Sequence, residues 1–151
     1  MKKFSLKNLF LFFLFFLLYI IPYFFIQQDL EFYKSLNKIN IPSIVFSIVW
    51  TILYSLLSVY LINVYKTLHD NKRLLVYLII NYFSNVLYVL FFFQFKMLFL
   101  PFVMCCTSFL SILFVWMETI LFNKKLSYLI IPNVVWSLFA CVLSGYVLLF
   151  N

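Results

Sequence analysis

Side chains that can donate or accept hydrogen bonds recur at helical spacing in three apolar stretches of this chain. The rows are Pro42, Phe46, Trp50 and Tyr54; Asn81, Asn85, Tyr88 and Phe92; and Asn133, Trp136, Ala140 and Ser144. Residues three or four positions apart lie on one face of an α-helix. Each stretch therefore predicts a helix with one face of amide, indole or hydroxyl groups, and the three faces are expected to point inward.

These groups suit ligand binding better than catalysis. No pair of carboxylates, His/Cys cluster or Ser/His/Asp set falls within one apolar stretch, so the groups for acid–base hydrolysis or metal catalysis are missing. The lone histidine, His69, lies beside Asp70 in a charged segment, which favours a solvated residue over a haem ligand. We expect no cofactor and no metal, and a site for a flat, apolar molecule with one or two acceptors.

The same rows also have a purely structural interpretation. Asn and Ser side chains in membrane helices commonly hydrogen-bond from helix to helix, at about 1 kcal/mol or less per pair, and aromatic rings fill space. For any single residue, this structural interpretation carries at least as much weight as a role in ligand binding. For the combined set we favour a pocket, because two amides and two indoles are expected at similar depth, opposite the small residues Ala140 and Ser144.

The elements that position these rows follow from composition. Of 151 residues, 67% are hydrophobic and 10% are charged, which is typical of an integral membrane protein. The apolar runs do not alternate as barrel strands do. They predict an all-α membrane protein, a five-transmembrane-helix bundle in a single domain over 1–151. Helices are expected at about 8–27, 42–65, 74–93, 97–122 and 127–150, with an amphipathic lid loop at 28–41.

Charge and cysteine placement set further expectations. If consecutive helices cross the membrane in opposite directions, eight of the eleven Lys and Arg residues fall on one side of it, Lys2 and Lys3 among them. This bias puts the N-terminus in the cytoplasm, and the lid and Asn151 outside. The short basic clusters argue against nucleic acid as a partner. The three cysteines lie inside apolar runs without a CxxC pair, so we interpret them as small core residues.

Motifs in these stretches resemble the TspO/MBR family of tryptophan-rich sensory proteins. The family includes the mitochondrial translocator protein, also called the peripheral-type benzodiazepine receptor. The motifs are FYxxLxK and IPxxVFxxVWxxLY at 32–54, LxxNxxxN at 78–85 and PNxxWxxFAxxLS at 132–144. The resemblance covers about 32–151, and several motifs in the same order are more specific than any one of them.

The resemblance implies a homodimeric five-helix protein of the lipid bilayer, in a bacterial cytoplasmic membrane. Its implied ligands are tetrapyrroles such as protoporphyrin IX, and in some members cholesterol or synthetic isoquinolines and benzodiazepines. Motif position and the three rows together give the expected ligand-binding residues. They are Tyr33, Pro42, Phe46, Trp50, Asn81, Asn85, Tyr88, Trp136, Ala140 and Ser144.

Three functions stay open at this point. The first is a membrane receptor or sensor that binds porphyrin-type ligands inside the bundle. The second is a light-dependent porphyrin-degrading enzyme on the same site, for which the resemblance implies Trp50 and Trp136 as the reacting side chains. The third is a transporter of small hydrophobic molecules. It would need Glu118 to be deep and paired, whereas the nearby Asn123 and Lys124 favour a place at the membrane interface.

Overall fold

The computed structural model describes residues 6–26, 29–65 and 67–151. Several residues used in the sequence predictions lie outside this described part. They are Lys2 and Lys3 at the N-terminus, Gln28 at the start of the expected lid loop, and Lys66. The side chain of His69 also lies outside it, so its expected solvation stays a prediction.

Within these described ranges the chain forms five long apolar helices and no strand. Each helix is long and apolar enough to cross a membrane. They are α1 (Leu6–Phe25), α3 (Ser43–Val64), α4 (Lys72–Val89), α5 (Phe99–Phe122) and α7 (Ile131–Phe150). A π-helical turn, Leu90–Gln94, prolongs α4, and two short helices, α2 (Leu30–Ser35) and α6 (Lys124–Ser127), lie between the long ones. The predicted all-α class with five membrane helices is confirmed.

Polar side chains cap the N-termini of several of these helices. Asp29 accepts a hydrogen bond from the backbone N–H of Phe32 at 2.9 Å, and Asn71 accepts one from Leu74 at 3.1 Å. Such caps satisfy amides that have no partner inside the helix. The last long helix was expected from 127 but begins at Ile131, because a turn follows α6 and Pro132 can occupy the first helical turn.

The core lies where α3, α4 and α5 meet, with Tyr19 of α1 and Ile130, just before α7, at its edges. Its fully buried members include Leu57 and Tyr60 of α3, Leu74 of α4 and Val115 of α5. The hydroxyl of Tyr60 is hydrogen-bonded to that of Thr119 at 2.7 Å, which joins α3 to α5 inside the bundle. Interhelical hydrogen bonds of this kind stabilise a membrane bundle because lipid offers no polar partner.

Helix α1 joins the bundle mainly through two tyrosines. The ring of Tyr19 stacks on Tyr54 of α3 with centroids 5.2 Å apart, and the hydroxyls of Tyr23 and Tyr54 are 2.6 Å apart. Tyr19 is the only residue of α1 that is fully buried. The helix therefore packs at the periphery, and most of its apolar surface faces outward.

Small side chains allow α5 and α7 to approach closely. Ser108 and Ser111 on α5, with Ser137 and Ser144 on α7, are all buried. A Cβ atom at Gly145, the single glycine of the chain, would lie 3.1 Å from the ring of Phe102. This distance is tighter than ordinary packing, so even a methyl group at position 145 would require the Phe102 ring to shift, and a larger side chain would require more.

Substitution of Gly145 by leucine should therefore destabilise the bundle, by about 1–3 kcal/mol for overpacking. The matched control is Val142→Leu on the same helix, where the side chain is 62% exposed and free to enlarge. Unfolding in detergent, followed by circular dichroism, measures both. Equal stability of the two variants would show that α5 and α7 are not in close contact at this glycine.

Candidate functional site

A cavity of about 90 Å³ lies inside the bundle between α3, α4, α5 and α7. Its walls are mainly aromatic, with amide, hydroxyl and thiol groups among the rings. The lining residues are Phe46, Trp50, Asn85, Tyr88, Cys105, Ser108, Trp136, Ser137 and Ala140. No charged side chain is among them, so the cavity suits an uncharged, largely apolar group with a few hydrogen-bonding atoms.

The cavity brings together six of the ten residues predicted from the sequence. They come from three different helices and are Phe46, Trp50, Asn85, Tyr88, Trp136 and Ala140. The other four, Tyr33, Pro42, Asn81 and Ser144, do not line it. Contact between any of these residues and a ligand stays a prediction.

Asn81 is used between helices instead. Its side-chain nitrogen lies 3.0 Å from the backbone oxygen of Ser108, 3.1 Å from that residue's hydroxyl and 3.3 Å from the hydroxyl of Ser111. Its backbone oxygen accepts a 2.8 Å hydrogen bond from the side-chain amide of Asn85. Asn81 therefore holds α4 to α5 and orients Asn85, which does line the cavity.

The other three residues lie around the cavity. Ser144 is buried on α7 next to Tyr88, a residue of the cavity wall. Pro42 is exposed and precedes the first turn of α3. Tyr33 belongs to α2, where its ring packs against Phe92 and Phe93 with both centroids 6.4 Å away.

Three lining residues, Cys105, Ser108 and Ser137, were missed by the sequence reasoning. Ser137 directly follows Trp136, so the row on the last helix was too narrow by one position. Cys105 and Ser108 lie on α5, which carried no row of amide or indole groups. Their small size is the sequence feature that could have identified them. They lie three residues apart and share one face of a helix that is otherwise rich in Phe and Leu.

The indole of Trp136 is the most distinctive polar group of the cavity. Its nitrogen is buried and has no hydrogen-bond partner among the described residues, a property it shares with Trp116, which does not line the cavity. The ring is held edge-on by Phe46, with centroids 5.8 Å apart. A buried unpaired donor costs about 1–3 kcal/mol. An acceptor atom on a bound molecule would recover part of that cost.

A lid formed by residues 29–38 packs against the end of α4 and the π-helical turn. Phe32 of α2 lies on Phe92, with centroids 5.6 Å apart, and Phe92 stacks in parallel on Tyr88 at 5.8 Å. Because Tyr88 lines the cavity, these rings connect the lid to the cavity wall. A π-helical turn at this point agrees with the frequent use of such turns at functional sites.

Two polar contacts hold the lid at its ends. Asp29 forms an ion pair of 2.7 Å with Lys96 in the turn between α4 and α5. Lys96 and the Phe32 N–H lower the pKa of this carboxyl below its ordinary value. At the other end, the backbone N–H of Asn37 donates to the side chain of Asn151 at 2.8 Å, and the Asn151 amide donates back to the Asn37 backbone oxygen at 2.9 Å.

Comparison with known families agrees with the fold and the motifs. Residues 9–149 match the model of the TspO/MBR family. The chain belongs to the TspO/MBR family. No individual curated protein is significantly similar to it. Membership supports a multi-pass membrane protein that senses or binds hydrophobic ligands, and the resemblance predicted from the sequence is confirmed.

In this TspO/MBR protein the ion pair of Asp29 should keep the lid ordered. Asp29→Asn preserves an acceptor for the cap of α2 but removes the charge, so a spin label at the exposed position 34 should become more mobile. Glu31→Gln removes an exposed acid from the same helix and is the matched control.

Acid should act in the same direction as the substitution. Because the folded protein lowers the pKa of Asp29, the contribution of the ion pair is present above the ordinary pKa of aspartate, about 3.9, and is lost as the pH falls through the lowered value. Label mobility in the unsubstituted chain should then rise toward that of Asp29→Asn. Equal mobility of Asp29→Asn and Glu31→Gln at neutral pH would rule out this role.

Proposed function

We propose that this protein is a membrane receptor or sensor that binds a porphyrin-type tetrapyrrole, such as protoporphyrin IX, in its cavity. The observation that carries the proposal is the buried, unpaired indole N–H of Trp136 in an aromatic cavity inside the bundle. Family membership supports a hydrophobic ligand in general. The chemistry of the cavity wall supports a tetrapyrrole as the specific ligand.

The cavity wall has the groups that a flat aromatic ligand with acceptor atoms requires. Trp50 and Trp136 offer indole faces for stacking, and Phe46 packs at a ring edge of Trp136. The electron-rich face of a metal-free porphyrin can accept the Trp136 N–H from above the ring plane. The carboxylates of such a ligand have no cationic partner in the cavity, so we place them toward the lid, which carries Lys34 and Lys38.

The cavity must enlarge to hold such a ligand. At about 90 Å³ it is smaller than the roughly 300–1,000 Å³ of typical small-molecule sites. The lid is the segment best suited to move, because its ion pair is solvent-exposed and exposed ion pairs contribute little to stability. Displacement of Phe32 would free Phe92 and, through it, Tyr88. The structure then corresponds to a closed form, and binding includes opening of the lid.

The two unpaired indoles provide a matched test of the hydrogen bond. Protoporphyrin IX should bind with roughly micromolar affinity, and Trp136→Phe should weaken binding about five- to tenfold, the value of one hydrogen bond. Trp116→Phe removes the other unpaired N–H outside the cavity and should change the affinity less than twofold. The Soret band of the porphyrin, titrated in the dark, reports binding without relying on tryptophan fluorescence. Equal effects of the two substitutions would contradict the proposed site.

Light-dependent degradation of the same ligand is a second candidate, because Trp50 and Trp136 line one cavity. Aerobic illumination of the complex separates the two functions. A receptor yields no more product than free porphyrin does. Protein-dependent product that disappears in Trp50→Phe and Trp136→Phe, while Trp116→Phe retains it, would support the enzyme instead.

We further propose a homodimer in a bacterial cytoplasmic membrane, with the lid on the outer side. The contacts of Asp29 with Lys96 and of Asn37 with Asn151 place the lid, the α4–α5 turn and the end of α7 together. This end carries the smaller share of basic residues, which supports an outward orientation. The outward apolar surface of α1 is available to lipid or to a second copy.

A further inference from the structure

Two cysteines from different helices meet at the wall of the cavity. Cys105 of α5 lines the same cavity as Ser137 and Ala140 of α7, and one turn away the ring of Phe102 lies against Gly145 of α7. Cys105 and Cys141 therefore face each other across these two helices, with their thiols near one another. Both are free and buried, with 8% of each residue exposed, and Cys105 lines the cavity. The pair could not be predicted from the sequence, because the two residues are far apart in the chain and lie in separate apolar runs.

The pair does not have the composition of a metal site. Among the described residues, no group of three His, Cys, Asp or Glu side chains could hold a metal ion. Structural zinc needs four ligands. Two thiols in contact can instead be joined by oxidation. A disulfide requires Cα atoms about 4.4–6.8 Å apart, so α5 and α7 must approach to within that range at this level for the bond to form.

We propose that Cys105 and Cys141 form an intramolecular disulfide when apolar hydroperoxides accumulate in the membrane. The pair lies within membrane-spanning helices, so its oxidant must dissolve in the bilayer, as a lipid hydroperoxide does. One thiol sulfur attacks the O–O bond, which releases the lipid alcohol and leaves a sulfenic acid. The second thiol displaces water from that sulfur. In balance, two thiols and one hydroperoxide give one disulfide, one alcohol and one water.

Cys106 is the natural control for this modification. It follows Cys105 in the chain but is less buried and does not line the cavity. It also lies near Cys141, so it is the competing partner within the same chain. The proposed bond therefore joins Cys105 to Cys141 and leaves Cys106 as a thiol.

Thiol counting in lipid nanodiscs, in the dark, tests the bond. After exposure to cumene hydroperoxide and denaturation, the unsubstituted chain should keep one reactive thiol of three and Cys106→Ala none, whereas Cys105→Ala and Cys141→Ala should keep two each. Mass spectrometry should find the peptides of Cys105 and Cys141 linked within one chain. Three remaining thiols, linkage through Cys106, or a bond between chains would overturn the proposal.

A second arm rests on the proposed function. A porphyrin in the cavity covers Cys105, so saturating protoporphyrin IX should slow disulfide formation several-fold in the dark, and Trp136→Phe should need more porphyrin for the same protection. A disulfide that forms equally fast with and without porphyrin supports the thiol pair and counts against the tetrapyrrole site. Thus the failure of one proposal is distinguishable from the failure of the other.

Discussion

The structure depends on finding partners for polar groups where the surrounding lipid offers none. Asn81 binds the serines of α5, Tyr60 pairs with Thr119, and Tyr23 pairs with Tyr54. Each bond joins two helices, so together they determine which faces meet. Hydrophobic burial alone could not make this choice, because lipid tails are as apolar as the core. The arrangement of α1, α3, α4 and α5 follows from this requirement.

Trp136 departs from this pattern, and the departure defines the site. Its N–H is buried beside Phe46 and has no hydrogen-bond partner in the part of the chain that the structure describes, while the polar groups nearby are largely paired. A ligand that accepts a hydrogen bond from this fixed donor would remove the free-energy cost of leaving it buried and unpaired. The lid reaches the same cavity through Phe32, Phe92 and Tyr88. Contacts that close the lid and contacts that bind a ligand are thus linked through one row of rings.

The close packing of α5 against α7 serves the cavity as well as the fold. The ring of Phe102 packs against Gly145 and buried serines lie on both helices, and this close approach leaves Ser108 and Ala140 in the same wall. The same approach brings Cys105 to Cys141. A wall made of small residues is therefore both the place where a ligand fits and the place where oxidation could join two helices.

The sequence by itself determined the number of helices, the family and the three faces that supply most of the cavity wall. Hydrophobic run length and the spacing of Trp50, Asn85 and Trp136 are local properties, so they can be read without the fold. Only the tertiary structure decided how the polar groups were used. Asn81 and Asn85 have the same type and share a face, yet one joins α4 to α5 and the other lines the cavity. The sequence could not separate them, because the partner of each side chain comes from a distant part of the chain. The same reason explains the pairing of Cys105 with Cys141 and the unpaired indole of Trp136: both depend on which helices become neighbours and how closely they pack.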